Sequence, residues 1–296
     1  MQHEFSMKDL GPLSYFLGVK LVKNSSGLFL SQHRYVNDIL HRFGLDKSKP
    51  VLTPLQSKLD WHSSTSALLS DPSVYRQMVG SLQYLSFTRP DIQFVVNLAS
   101  QFLHNPREVH MQAVKRIFRY IGGTADWGLQ LTRNTSLSLK VYSDSDWAGC
   151  FATRRSTTGF CIFLGDNLIS WSARKQPTVA RSSTEAEYRA LAVAVAEVTW
   201  LQYLLRDLHV PLCSPVMAKC DNVGAIHLAH NPVFHSRSKH VALDYHFVRE
   251  KVNLGDLLVP HVSTSHQLAD LFTKVLPSAR FHELLTKLCV RSSPSA

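Results

Sequence analysis

The segment from about Thr184 to Leu208 constrains this chain most. Ala190, Leu191, Ala194, Val198, Leu201 and Leu205 recur at helical spacing and form one apolar face, which must pack against something. Three strand signatures come before it. Leu137, Leu139 and Val141 alternate with polar residues, and Phe160–Leu164 and Leu168–Trp171 flank a hairpin turn at Gly165–Asn167. After it come a short apolar strand at 215–220, a helix through Ile226, a helical stretch near 241–251, a strand at Asp256–Val262 and a helix at Gln267–Lys274. Three strands, helix, strand, helix, strand, helix predicts an α/β fold, a mixed sheet with helices packed on it.

The N-terminal half has a different rhythm. Two apolar runs on either side of Asn24–Gly27 predict a hairpin. Tyr35, Ile39 and Phe43 share one helical face, and Gly44 stops that helix. Residues from Pro50 to about Asp71 are rich in Ser, Thr and Pro and read as a linker. From Val74 to Ile121 the pattern is helical, with Pro90 and Pro106 at expected helix starts. Val114, Ile117, Phe118 and Ile121 make an apolar stripe, and Lys115, Arg116 and Arg119 lie off it, as a solvated or a phosphate-facing edge.

The chain of 296 residues has a formal net charge of +10, which favours a polyanionic partner through counterion release. Its five cysteines show no Cys-x-x-Cys spacing, so neither a disulfide framework nor a zinc ribbon is expected. A reducing, intracellular setting, cytoplasmic or nuclear, fits that usage. No secretory signal and no membrane-spanning run is visible.

Four acids stand at expected strand ends or helix starts: Asp144, Glu187, Asp221 and Asp270. Asp144 follows its strand directly. Asp146 competes with it, and the Trp147–Gly149 turn is expected to break the shared parity. Ser182 or Ser183 can cap the long helix, with Glu185 in a capping-box position and Arg189 four residues on. Glu187 instead opens the apolar face, where a carboxylate is unfavourable unless something compensates it. Asp221 taken alone reads as a helix cap, and Asp270 as a helix-dipole partner. Together the four make a hard-oxygen set suited to two Mg²⁺ or Mn²⁺ ions, which can activate a water and stabilise a departing 3′ oxygen. His235, His240 and His246 cluster in sequence without a nearby cysteine, and no comparable zinc set is found.

Tyr142–Gly149, Ser182–Tyr188, Cys220–Asn222, Phe234–His240 and Gln267–Lys274 resemble the ribonuclease H domain of Ty1/copia-type retrotransposon Pol polyproteins, plant elements in particular. Met7–Gly11, Tyr15–Gly18, Tyr75–Tyr84 and Thr88–Asp91 resemble the end of the reverse transcriptase palm, the thumb and the connection. The resemblance implies a ribonuclease H-like five-stranded mixed sheet whose first three strands are antiparallel, flanked by helices. A mostly helical, truncated thumb and connection region would precede it. Expected divisions are 1–56 for the palm end and thumb, 57–132 for the connection, 133–282 for ribonuclease H and 283–296 for a C-terminal tail.

It also implies a catalytic and metal-binding quartet on Asp144, Glu187, Asp221 and Asp270. The implied reaction is hydrolysis of the RNA strand of an RNA–DNA hybrid, with selectivity through the 2′-hydroxyl. Arg154, Arg155, Arg174, Lys175, Arg181 and Asn222 become candidates for holding the hybrid, and His266 for proton transfer. Other Pol segments are possible partners, and oligomeric state is not legible.

The polymerase palm of such proteins needs a paired-Asp turn, and no adjacent Asp pair occurs in these residues. The expectation is a Pol fragment without DNA polymerisation. The alternatives are an idle remnant that only binds nucleic acid and a non-enzymatic scaffold. An integrase of the same fold would place its Glu last, whereas here it comes second.

Overall fold

A computed structural model describes residues 11, 13–56, 59–61, 63, 65–133, 136–212, 214–231 and 242–293. The chain starts with β1 (Tyr15–Phe16), β2 (Val19–Asn24) and β3 (Gly27–Ser31). The β2–β3 turn closes where Gly27 N–H donates to Asn24 Oδ1 at 2.8 Å. Four helices follow: α1 (His33–Arg42), α2 (Ser73–Leu85), α3 (Gln93–Ser100) and α4 (Glu108–Gly123). Gly44, at φ +65°, ends α1 in the left-handed conformation a side chain disfavours. Pro90 opens a 3₁₀ turn ahead of α3, whereas Pro106 lies just outside α4, which Arg107 caps.

β4 (Trp127–Thr132) leads into β5 (Leu139–Asp146), β6 (Thr157–Leu164), β7 (Asn167–Lys175) and the long α5 (Ser183–Asp207). Then come β8 (Val216–Lys219), α6 (Val223–His230), α7 (Ala242–Asn253), β9 (Leu257–Leu258), α8 (Ser278–Lys287) and β10 (Val290–Ser292). The expected strand at 256–262 is two residues of β9 plus a single bridge from His261 to Cys220. The expected helix at 267–274 is a 3₁₀ turn, Leu268–Phe272.

The strands form two sheets. One has the order β7-β6-β5-β8-β9, with β5, β6 and β7 antiparallel and β8 and β9 added in parallel. This is the five-stranded mixed sheet of a ribonuclease H-like α/β fold. The other has the order β1-β2-β3-β4-β10. Its last strand comes from the C-terminal residues, which pair with β4 because Leu288 and Val290 bury there. The divisions expected at 132/133 and 282/283 therefore do not follow the hydrogen bonding: residues 283–292 continue α8 and complete the N-terminal sheet.

Strand parity decides what each face of the mixed sheet meets. Leu139, Val141, Phe160 and Ile162 pack with the apolar face of α5, including Leu191, Val195 and Val198. Cys161, Phe163 and Ala173 join the core of the N-terminal helices, α8 and the 268–272 turn. Burying one such Leu or Val contributes about 1.5–3 kcal/mol, so α5 is held mainly by this packing.

Candidate active site

β5 continues through Asp146, so Asp144 and Asp146 share a face. The expected break in parity at Trp147 comes one residue too late to separate them, and their partners separate them instead. Asp146 is tied to the start of β6 by the Thr157 N–H. Burial pushes its carboxyl up to about 7, and the neighbouring Asp144 adds to this. Asp144 is 1% exposed and accepts a hydrogen bond from Thr273 Oγ1 and, at 3.1 Å, one from Lys274 Nζ.

Lys274 also reaches Asp270 Oδ1 at 2.5 Å, and Arg280 lies 3.9 Å from Asp270 Oδ2. An ammonium thus stands between Asp144 and Asp270. Burial raises the Asp270 carboxyl above its ordinary range, against the pull of Lys274. The Lys274 ammonium is itself shifted upwards: burial opposes the shift, and Asp144 and Asp270 outweigh it. The 268–272 turn comes this close because residue 159, opposite Asp144 on β6, is glycine. A Cβ there would lie 2.5 Å from Thr273 Cγ2 and 2.8 Å from Phe272 Cβ. Gln267, fully buried, anchors the same turn by donating to the Ser143 carbonyl at 2.9 Å.

On the other face, α5 begins as its sequence requires. Ser182 Oγ accepts from Glu185 N–H at 3.1 Å, and Glu185 accepts from Arg181 N–H and pairs with Arg189 at 2.7 Å. Glu185 is committed to this cap. Glu187, one half-turn on, is 7% exposed and aims at the sheet rim. Its Oε1 accepts from Ser145 N–H at 3.3 Å, while its Oε2 is buried with no hydrogen-bond partner. Burial first, then Asp144 and Asp221, push its carboxyl up to about 9.

Asp221 follows β8 but does not cap the next helix. Asn222 does so, accepting from Ala225 N–H at 2.9 Å, and is thereby committed to α6. Asp221 instead faces the rim, with Oδ2 receiving Thr264 Oγ1 at 3.1 Å. Ligand atoms of Glu187, Cys220 and Asp221 all lie within 4.8 Å of one another. The residues suit a divalent cation: an unpartnered carboxylate oxygen is buried beside a second carboxylate, and among the described residues no ion pair reaches either, Lys274 easing Glu187 only as its smallest influence.

The fold thus brings Asp144, Glu187, Asp221 and Asp270 to one rim, split between a half neutralised by Lys274 and a half that is not. Arg154, Arg174 and Arg181 are exposed near the same ends of β6, β7 and α5. Arg155 donates to the Pro177 carbonyl at 3.1 Å, and Lys175 to Gln101 at 3.1 Å and Cys150 Sγ at 2.7 Å, so both also brace their own loops. His266 is exposed on a 3₁₀ turn (Thr264–His266). It lines a cavity of about 590 Å³ with Lys140, Tyr142, Lys219, His261 and Lys287. His235 and His240 lie outside the described residues.

Sequence reasoning missed this basic recess. It also missed Lys274, whose i,i+4 spacing from Asp270 was the available signal. Gly159 gave no local signal, because its role exists only once the turn packs on the sheet. Among the described residues no helix is long and apolar enough to cross a membrane.

Residues 1–57 match the family model for reverse transcriptase (RNA-dependent DNA polymerase). Over 99% of its length the chain is 49% identical to a retrovirus-related Pol polyprotein from transposon RE1 of Arabidopsis thaliana. Over 95% it is 38% identical to that from transposon TNT 1-94 of Nicotiana tabacum. The chain spans 20% and 22% of those two polyproteins. Among solved structures, LC11-RNase H1, isolated from compost, superposes at a TM-score of 0.36 with 16% identity, over 50% of this chain and 99% of that one.

Proposed function

The chain belongs to the copia-type retrotransposon Pol polyproteins, and from that premise we propose that it hydrolyses the RNA strand of RNA–DNA hybrids. The observation that carries this reading is the buried, unpartnered Oε2 of Glu187, facing Asp221 at the rim that also holds Asp144 and Asp270. Burial of an uncompensated carboxylate is unfavourable, and a fold retains it where a cation or substrate completes it. Asp144, Glu187, Asp221 and Asp270 would hold magnesium, with manganese as a substitute. When bound, the ions supply an activated water and charge stabilisation for the departing 3′ oxygen.

The chain's own residues set the stage. Gln267 and Thr273 fix the 268–273 turn against β5, so that Asp144 and Asp270 face each other across Lys274. Ser182 and Glu185 fix the start of α5, and hence Glu187. On this reading Arg154, Arg174 and Arg181, exposed near the same ends of β6, β7 and α5, bind hybrid phosphates, and His266 is the candidate for proton transfer. We assign the stretch from β5 to the 268–272 turn as the nuclease body, anchored to the N-terminal sheet through α8 and β10. We assign no polymerisation to this stretch, which carries no adjacent Asp pair.

The test is a labelled RNA–DNA hybrid incubated with magnesium and purified protein, beside the Asp221→Asn variant. Wild-type cleavage that the variant lacks supports the reading. Binding without cleavage by either protein replaces it with a nucleic-acid-binding remnant.

A further inference from the structure

We propose that Cys220, with Glu187 and Asp221, forms a site for a thiophilic divalent cation, zinc or cadmium, that competes with magnesium for the same two carboxylates. Cys220 follows β8 on the face that meets α5, fully buried, with its Sγ within 4.8 Å of a Glu187 carboxylate oxygen. Among the described residues its side chain makes one hydrogen bond, a weak 3.9 Å contact from Sγ to the Asn222 carbonyl. The three ligand atoms lie within 4.8 Å of one another. A bound zinc ion would draw them in to the distances of about 2.0–2.3 Å that it adopts with oxygen and sulfur.

The second, independent observation is Glu187 itself. It is more than nine-tenths buried, its Oε2 has no hydrogen-bond partner, and one of its carboxylate oxygens lies within 4.8 Å of this thiol.

Magnesium takes oxygen ligands and gains nothing from sulfur. A thiophilic ion gains a strong third ligand from Cys220, so this residue makes the rim discriminate between soft and hard ions. On binding, the S–H bond breaks. The sulfur keeps the electron pair and donates it to the ion, and the proton leaves to solvent. An ion held this way takes Glu187 and Asp221 out of the magnesium set. The site shares those two ligands with the proposed nuclease centre, yet it is read from metal binding alone.

The experiment titrates cadmium chloride and zinc chloride into the full chain without nucleic acid. Sulfur-to-cadmium charge-transfer absorption and calorimetry are the readouts, with manganese as competitor. The variants are Cys220→Ser, Cys220→Ala, Glu187→Gln and, as a control thiol outside the three ligands, Cys150→Ser. Wild type and Cys150→Ser should bind one cadmium ion with the charge-transfer band. Both Cys220 variants should lose the band and bind cadmium at least about tenfold more weakly. Manganese binding that persists in them reports an intact fold. Glu187→Gln should weaken cadmium and manganese alike.

A band that survives both Cys220 substitutions, or that vanishes in Cys150→Ser, overturns the proposal. Cadmium binding through Cys220 in a protein that never binds manganese keeps this site and overturns the magnesium reading instead.

Discussion

Two buried acids in this molecule have opposite surroundings, and the contrast separates a structural carboxylate from a chemical one. Asp91, in the 3₁₀ turn ahead of α3, is 2% exposed. It receives Arg89 Nε at 2.9 Å, Arg89 Nη2 at 2.7 Å and Tyr120 Oη at 2.7 Å. Arg89, itself fully buried, spends its remaining donors on the carbonyl and hydroxyl of Thr124. Glu187 is buried almost as deeply, yet one oxygen has no partner and its neighbours are other acids. A closed network like that of Asp91 fixes a fold. An open one like that of Glu187 is, on the proposed reading, what a cation completes.

The contrast breaks most sharply if the closed network is opened. Arg89→Met leaves Asp91 buried without its ion-pair partner and should destabilise the protein by about 3–5 kcal/mol. Denaturant unfolding measures this. A loss below about 1 kcal/mol would mean that the network is decoration. The matching change at the rim should do the reverse. Glu187→Gln should leave the metal-free fold intact or firmer, while magnesium-dependent cleavage of a hybrid falls by at least about 10²–10³-fold. Undiminished cleavage would remove Glu187 from the proposed quartet.

A smaller effect tests how the two halves of the rim are assembled. Gly159→Ala sets a methyl against Thr273 and Phe272, the residues that close over Asp144. Overpacking of this kind should destabilise by about 1–3 kcal/mol. Because the turn carrying Asp270 must shift, manganese affinity should fall with it. Stability lost without any change in manganese binding would uncouple that turn from the site.

Much of this was legible in the sequence because it rests on periodicity. The apolar face of α5 singled out Glu187 over Glu185, and the structure gives Glu185 to the cap and Glu187 to the rim. The alternation before Asp144 placed it at the correct end of β5. The rest needed tertiary contact. Nothing local says that Lys274 lies between two acids, that Gly159 exists to admit a turn, or that Asn222 rather than Asp221 caps α6. The expected tail could not be recognised as α8 and β10 either, since its partner β4 lies far upstream. Asp146 marks the limit of parity as a guide: it shares a face with Asp144, and only its bond to Thr157 sets it apart.

The subtlest test of this contrast is the response of Glu187 to pH. Glu187 has its carboxyl raised from 4.5 to about 9, by burial first and by Asp144 and Asp221 next. A carboxyl raised on folding favours the folded state in its protonated form. Its contribution is therefore complete below the unfolded value and is lost as pH rises from about 4.5 towards 9. In EDTA the melting temperature of the wild type should fall across that window relative to Glu187→Gln, which has no proton to lose at this position. Asp146 and Asp270 are raised as well, so both proteins share their slope, and the difference between the two curves isolates Glu187. Magnesium should flatten the wild-type curve, because a bound cation favours the ionised carboxylate. A difference curve that stays flat in EDTA would mean that the rim tolerates a charged Glu187 unaided, and the distinction drawn between it and Asp91 would fall.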